Sequence, residues 1–195
     1  MNAIRPLHFC NVTVEGQLWP VYGWAIDGPN GTMLVDTGMI DSTPELDEEW
    51  APVLLPWPEL GEIVAVINTH LHFDHCGGNR RFAGVPTYVQ RAELEAAVAP
   101  SYLEEWVHFP GESYIALDGD AQLFAGVSVL FTPGHSAGHQ AVVVETDDGV
   151  VVLAGDVTYS MRELIGGATP SILRIHALAP QRVYLAHHER PWLPG

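Results

Sequence analysis

The sequence predicts an α/β (α+β) protein in which short buried strands outnumber helices. Three observations carry that expectation. Apolar runs of four to six residues, rich in β-branched side chains, recur along the chain; clusters of Gly, Pro, Asn and Asp separate them; and three segments carry helix signals. Residues 21–26 and 32–35 flank Asp27-Gly28-Pro29-Asn30-Gly31, a hairpin signal. Residues 63–67 read Ile-Val-Ala-Val-Ile, the pattern of a strand buried on both faces, and lead directly toward His70. Residues 127–131 do the same for Thr132-Pro133-Gly134-His135. Residues 141–144 and 150–153 flank Thr146-Asp147-Asp148-Gly149, a second hairpin, and the latter run ends at Gly155-Asp156. Residues 182–186 form a last short strand ending at His187-His188. Helices are expected at 44–50, 91–98 and 169–178, the last with Thr169 as N-cap and Pro170 at its first position.

Four expected strands therefore run out into a His or Asp. A sheet holds its strand ends rigidly, so ligands placed there converge with little entropy left to lose on metal binding. No repeat, low-complexity tract or linker divides the 195 residues, which suit one domain, 1–195.

Charge narrows the possible partners. Lys+Arg is 8 against 24 Asp+Glu, a net charge of −16, and none of the eight is lysine. Such a surface repels phosphate backbones and anionic membranes, so neither nucleic acid nor a membrane is an expected partner. The first twenty residues show no charged start followed by an apolar run, and no apolar stretch reaches the roughly 18 residues of a membrane span. Two cysteines, Cys10 and Cys76, make no disulfide framework, so a cytoplasmic setting is expected. Cys76 reads as a small buried filler beside the histidines.

The most specific signal is His70-Leu71-His72-Phe73-Asp74-His75, followed by Gly77-Gly78-Asn79. With 10 His and, by count, 10 Asp in 195 residues, four such residues at fixed positions arise by chance about once in a thousand chains. Residues two apart on an extended backbone point the same way, so His70 and His72 can hold one cation while Asp74 and His75 face another. Imidazole and carboxylate ligands without thiolate suit Zn²⁺, with Mn²⁺, Fe²⁺ or Co²⁺ as alternatives. Two such cations share and acidify a water and polarise a nearby carbonyl, which makes hydrolysis the natural chemistry.

His70-x-His72-x-Asp74-His75, His135 in a Pro-Gly-His turn, Asp156 after Gly155 and His187 after a final strand together resemble the metallo-β-lactamase superfamily. The resemblance runs from Leu34-Val35-Asp36-Thr37-Gly38 to His187. It implies an αββα sandwich of two mixed β-sheets flanked by helices, with a dinuclear centre at one edge. It also implies that His70, His72 and His135 bind one metal, Asp74, His75 and His187 the other, and that Asp156 bridges. Asp36 and His139 resemble family positions that orient ligands by hydrogen bonds, and Gly77 and Gly78 start a helix or tight turn beneath the metals. His188 competes with His187 for the last ligand position. Phe73, Trp24, Trp106 and Phe109 are candidate pocket walls, with core packing the alternative for each but Phe73, which lies between two ligands. His8, His108 and His176 read as surface or packing residues.

Asp156-Val157-Thr158-Tyr159, with His-Leu-His-Phe-Asp-His and Leu34-Val35-Asp36-Thr37-Gly38-Met39, is similar to the quorum-quenching N-acyl-homoserine lactonases of that superfamily. The likeness implies ring opening of a small-molecule lactone by a metal-bridging hydroxide. Tyr159 would polarise the carbonyl, and Asp74 would pass a proton to the leaving alkoxide. Such lactonases carry further N-terminal and mid-chain loops; residues 18–22 and 101–114 stand in their place here, and the oligomeric state, homodimer included, is not readable. A glyoxalase-II-like thioesterase shares the ligand set but carries a helical extension and basic residues for glutathione, whereas this chain has no lysine. A true β-lactamase would lack the bridging Asp, and a non-catalytic module would lack a ligand.

Overall fold

The computed structural model describes residues 2–29 and 31–194. One sheet holds β1 (Ala3–Val14), β2 (Gln17–Gly28), β3 (Gly31–Val35), β4 (Val53–Leu54), β5 (Ile63–Ile67), β6 (Thr87–Gln90) and β7 (Tyr114–Leu117), ordered β4-β1-β2-β3-β5-β6-β7. The other holds β8 (Ala121–Phe124), β9 (Val127–Phe131), β10 (Gln140–Thr146), β11 (Gly149–Leu153) and β12 (Arg182–Tyr184), ordered β12-β11-β10-β9-β8. Both are mixed: β1, β2 and β3 pair antiparallel and the first sheet continues parallel from β3 to β7, while β12 runs parallel to β11 in an otherwise antiparallel second sheet.

The sheets pack face to face. Trp24, Ile26, Met33, Val35, Ala65 and Ile67 of the first meet Val127, Val129, Val142, Val144, Val151 and Leu153 of the second. Each fully buried Val, Leu or Ile contributes about 1.5–3 kcal/mol, so this layer fixes the register of both sheets. Outside lie α1 (Pro44–Glu49), α2 (Phe73–Cys76), α3 (Arg91–Ala96), α4 (Glu104–Val107), α5 (Met161–Gly166) and α6 (Pro170–Ala177), with a 3₁₀ turn at Asn79–Phe82. Leu164 of α5 and Ile175 of α6 cover the outer face of the second sheet, and Trp57, Leu60 and Phe82 that of the first. The result is the expected αββα sandwich. Because both faces of β5 are covered, its sequence shows an unbroken apolar run rather than alternation.

The expected strands at 63–67 and 127–131 have the observed bounds, and Thr169 caps α6 through its side chain. The first hairpin closes with Gly28 opposite Gly31, and Asn30, expected in its turn, lies outside the described residues. The last strand stops at Tyr184 rather than residue 186. There the chain changes partners: the Ala186 carbonyl accepts from Tyr22 N at 2.9 Å, and Ala186 N donates to Gly155 O at 3.0 Å. Gly77 ends α2 and Gly78 precedes the 3₁₀ turn, both at ordinary helical φ. Their requirement is space, since a Cβ would lie 2.7 Å from Phe73 O at Gly77 and 2.4 Å from Thr37 O at Gly78.

Candidate metal centre

The loops after β5, β9, β11 and β12 bring His70, His72, Asp74, His75, His135, Asp156 and His187 together at one edge of the sandwich. His135 Nε2 lies 3.0 Å from His70 Nε2 and 2.9 Å from His72 Nδ1. On the other side His187 Nε2 is 3.6 Å and His75 Nε2 3.7 Å from Asp74 Oδ2. Asp156 sits between, with Oδ2 3.1 Å from His187 Nε2 and 3.8 Å from His135 Nε2, and Oδ1 3.4 Å from His75 Nε2. Potential ligand atoms fall into three trios, each within 4.8 Å: His70, His72 and His135; Asp74, His75 and His187; and His70, His75 and Asp156.

The outward nitrogens show which ring atoms are free to bind. Asp36 accepts from Thr69 N (2.7 Å), Thr69 Oγ1 (2.7 Å) and His75 Nδ1 (2.9 Å). Because the Thr69 hydroxyl proton goes to Asp36, His70 Nδ1 is the donor in its 3.1 Å contact with Thr69 Oγ1. His187 Nδ1 donates to Pro20 O at 2.9 Å. Each of these rings, when neutral, therefore turns a lone pair inward. His75 Nε2 and Asp156 Oδ1 are fully buried without a hydrogen-bond partner among the described residues. Stranding two polar atoms in this way is costly, and a divalent cation satisfies both. The donor set fits the implied metals.

Electrostatics divide the cluster in two. Burial pushes His70 well down, with His75 the next cause; it lowers His72, and it takes His135 to about 4, so these imidazoles stay neutral. Burial also opposes charge on His75 and His187, but Asp156 and Asp74 outweigh it and raise both. Burial would raise Asp156, yet His187 and His75 hold it well below the usual carboxylate range.

The expected supporting residues touch the cluster. Asp36 holds a left-handed backbone, φ 55°, unusual for a non-glycine residue, and its three accepted hydrogen bonds offset that strain. His139 donates from Nδ1 to Thr132 O (3.0 Å) and accepts Asp156 N–H on Nε2 (3.1 Å). The half-exposed Tyr159 places its hydroxyl 3.0 Å from His135 Nδ1. His188 is not in the cluster: its Nε2 donates to Tyr159 O at 2.9 Å. Cys76 is buried and donates to Leu71 O. Of the other histidines, His8 bonds Asn11, His108 bonds Glu112 and His176 donates to Leu164 O.

Among the candidate walls, Trp24 lies in the core between the sheets, Trp106 is buried against Phe73's cluster beneath the Arg80 guanidinium, and Phe109 is partly buried. Phe73 packs on Trp50 at 5.4 Å. A further aromatic ring beside the centre is Trp19, which the sequence reading did not single out, 5.5 Å from Tyr159 and 5.7 Å from His187. Thr69, Glu93 and Tyr102 were also missed. A Thr before a His, or a Glu in a helix, has no spacing that distinguishes it from a solvated residue.

Comparison with known proteins identifies the family. The profile of the metallo-beta-lactamase superfamily matches residues 16–188. An N-acyl homoserine lactonase of Bacillus cereus is 36% identical over 165 residues, 72% of this chain and 65% of that protein. The matched region thus spans just under two thirds of that relative. The structure of B. thuringiensis AiiA with N-decanoyl-L-homoserine bound at its active site superposes with a TM-score of 0.78 at 28% identity, covering 95% of this chain and 92% of that one. An N-acyl homoserine lactone hydrolase with the product N-hexanoyl-L-homoserine at its catalytic metal center gives a TM-score of 0.79 at 28% identity, with coverages of 95% and 92%. With the profile spanning all seven clustered His and Asp residues, the chain belongs to the metallo-β-lactamase superfamily.

Proposed function

We propose that this protein is a dinuclear metal-dependent hydrolase that opens the ring of N-acyl-homoserine lactones, a quorum-quenching activity. The observation that carries the metal assignment is the pair of unpartnered buried atoms, His75 Nε2 and Asp156 Oδ1, between two ligand trios. Relatives named as homoserine lactonases, and structures holding homoserine products, support the substrate class. His70, His72 and His135 would hold one cation and Asp74, His75 and His187 the other, with Asp156 in reach of both groups. When bound there, two divalent ions, Zn²⁺ before others, would supply an acidified water and a polarised carbonyl.

The chain's own groups do the rest. With His135 Nε2 turned inward, its Nδ1 carries the proton and donates to the Tyr159 hydroxyl. The phenol proton is thereby left for the substrate. Burial, then Asp156 and Asp74, push the Tyr159 phenol up, so it stays a donor at neutral pH and can bond the lactone carbonyl or its developing oxyanion. Asp74, at the mouth of the second trio, would take the proton released by the attacking water and return it to the departing alkoxide. Trp19, Trp50 and Phe73 offer apolar faces to an acyl chain.

The test is a substrate panel on metal-replete protein: acyl-homoserine lactones, simple γ- and δ-lactones, S-lactoylglutathione and a chromogenic cephalosporin. Preference for the homoserine lactones is expected. Turnover of the thioester or the cephalosporin alone would overturn the substrate assignment.

A further inference from the structure

We propose that Glu93 is the positioning residue of the three-histidine site, clamping the segment that carries His70 and His72 onto the turn that carries His135. The inference rests on the ligand assignment above and extends it to a residue remote from the reacting atoms. Glu93 is fully buried in α3. Its Oε1 accepts from Leu71 N at 3.0 Å and from Tyr102 OH at 2.9 Å, and its Oε2 from Ser136 Oγ at 2.6 Å and Gly138 N at 2.9 Å. Leu71 lies between His70 and His72, and Ser136 follows His135. Among the described residues, Leu71 and the Ser136–Gly138 turn share no hydrogen bond with each other; both bond this one carboxylate. Tyr102, held by Oε1, sets its ring 5.0 Å from that of His72. One side chain thus stands behind all three histidines.

Packing supports the same contact independently. A Cβ at Gly138 would lie 2.2 Å from Glu93 N and 2.6 Å from its Cα, so the turn rests directly on the backbone of α3. Burying a carboxylate is costly, and an apolar side chain would fill the space with less penalty. What the carboxylate adds is two oxygens that each hold two donors, fixing three chain segments at once. Metal–imidazole bonds are about 2.0–2.1 Å long, so small shifts of His135 against His72 weaken a cation between them.

The test is stepwise Co²⁺ titration of apo-protein against a chelator, followed by the visible spectrum and with melting temperature measured in parallel. Wild type is expected to bind two equivalents. Glu93→Gln, which must turn an amide toward two donors, should lose about 10–100-fold in affinity at one site, change the d–d bands, and leave the other site within a few-fold. The same loss should appear in a His187→Ala background, where the three-histidine site stands alone. Ser136→Ala, which keeps Glu93 but removes one donor on the His135 side, should shift in the same direction by less, and it carries the test if Glu93→Gln does not fold. Arg91→Ala, on the exposed face of the same helix, should change nothing. Equal weakening of both sites in step with melting temperature, or wild-type affinity and spectrum in the variants, would reduce Glu93 to a packing residue. Wild type binding fewer than two equivalents would instead fell the ligand assignment itself, and the clamp with it.

Discussion

A buried histidine that donates through one nitrogen and accepts through the other is committed to its neutral form, and His139 is in that position. Burial takes its pKa from 6.5 to about 4. Cations bound nearby would push the same way. The folded value is below the unfolded one, so neutral His139 contributes stability in full above pH 6.5 and loses it as pH falls toward 4. In urea unfolding of the metal-free protein, the disadvantage of His139→Asn should shrink by about 2–3 kcal/mol between pH 7 and pH 4.5. An unchanged gap would assign the acid sensitivity to other groups. At Tyr159 the readout is catalysis: Tyr159→Phe should keep two metal equivalents and the melting temperature while kcat on a homoserine lactone falls roughly 10-fold or more. Wild-type kcat in that variant would leave the phenol as packing on Trp19. Whereas His135, Asp156 and His187 became ligands only through the family resemblance, His70, His72, Asp74 and His75 were legible because their spacing is short-range and their types are rare. Glu93 was not, because its burial is created by Leu71, Tyr102 and Ser136 arriving from three separate segments.

Elements were legible in proportion to how many of their faces are buried. β5, β9 and β11 are covered on both sides and read as apolar runs. β1 was missed: it carries Arg5, Pro6, His8 and Asn11, and its register shifts between His8 and Cys10, which breaks the alternation a strand shows. α2 and α4, four residues each, are too short to display a helical period. That missed hairpin of β1 and β2 has a functional consequence, for it carries the exposed Leu18 and sets Trp19 against Tyr159 and His187. Trp19→Ala should raise KM for long-chain acyl-homoserine lactones by about fivefold, with less effect on short chains and on kcat, since one apolar face is worth on the order of 1 kcal/mol. Steady-state kinetics across chain lengths checks this, and a chain-independent loss of kcat would point instead to displacement of His187.

At the scale of the molecule, the sandwich concentrates charge at one edge. Exposed pairs such as Arg5–Asp27, Arg174–Asp120 and Arg182–Asp148 each contribute at most about 1 kcal/mol. The buried Asp36, Asp74, Asp156 and Glu93 matter more, because each is held away from bulk water. Cations at 100 times their dissociation constant add about 2.7 kcal/mol, so calorimetry should show chelation lowering the melting temperature by about 5–10 °C. No shift would mean that packing alone holds the strand ends. No helix among the described residues is long and apolar enough to cross a membrane. His187 is held by Pro20 across 167 positions, and Ala186 by Tyr22. During synthesis, therefore, the residues of the three-histidine trio leave the ribosome well before the other trio can close. His187 is also the last of the seven clustered residues to be made, so its trio closes only when the fold brings residues 20 and 187 together.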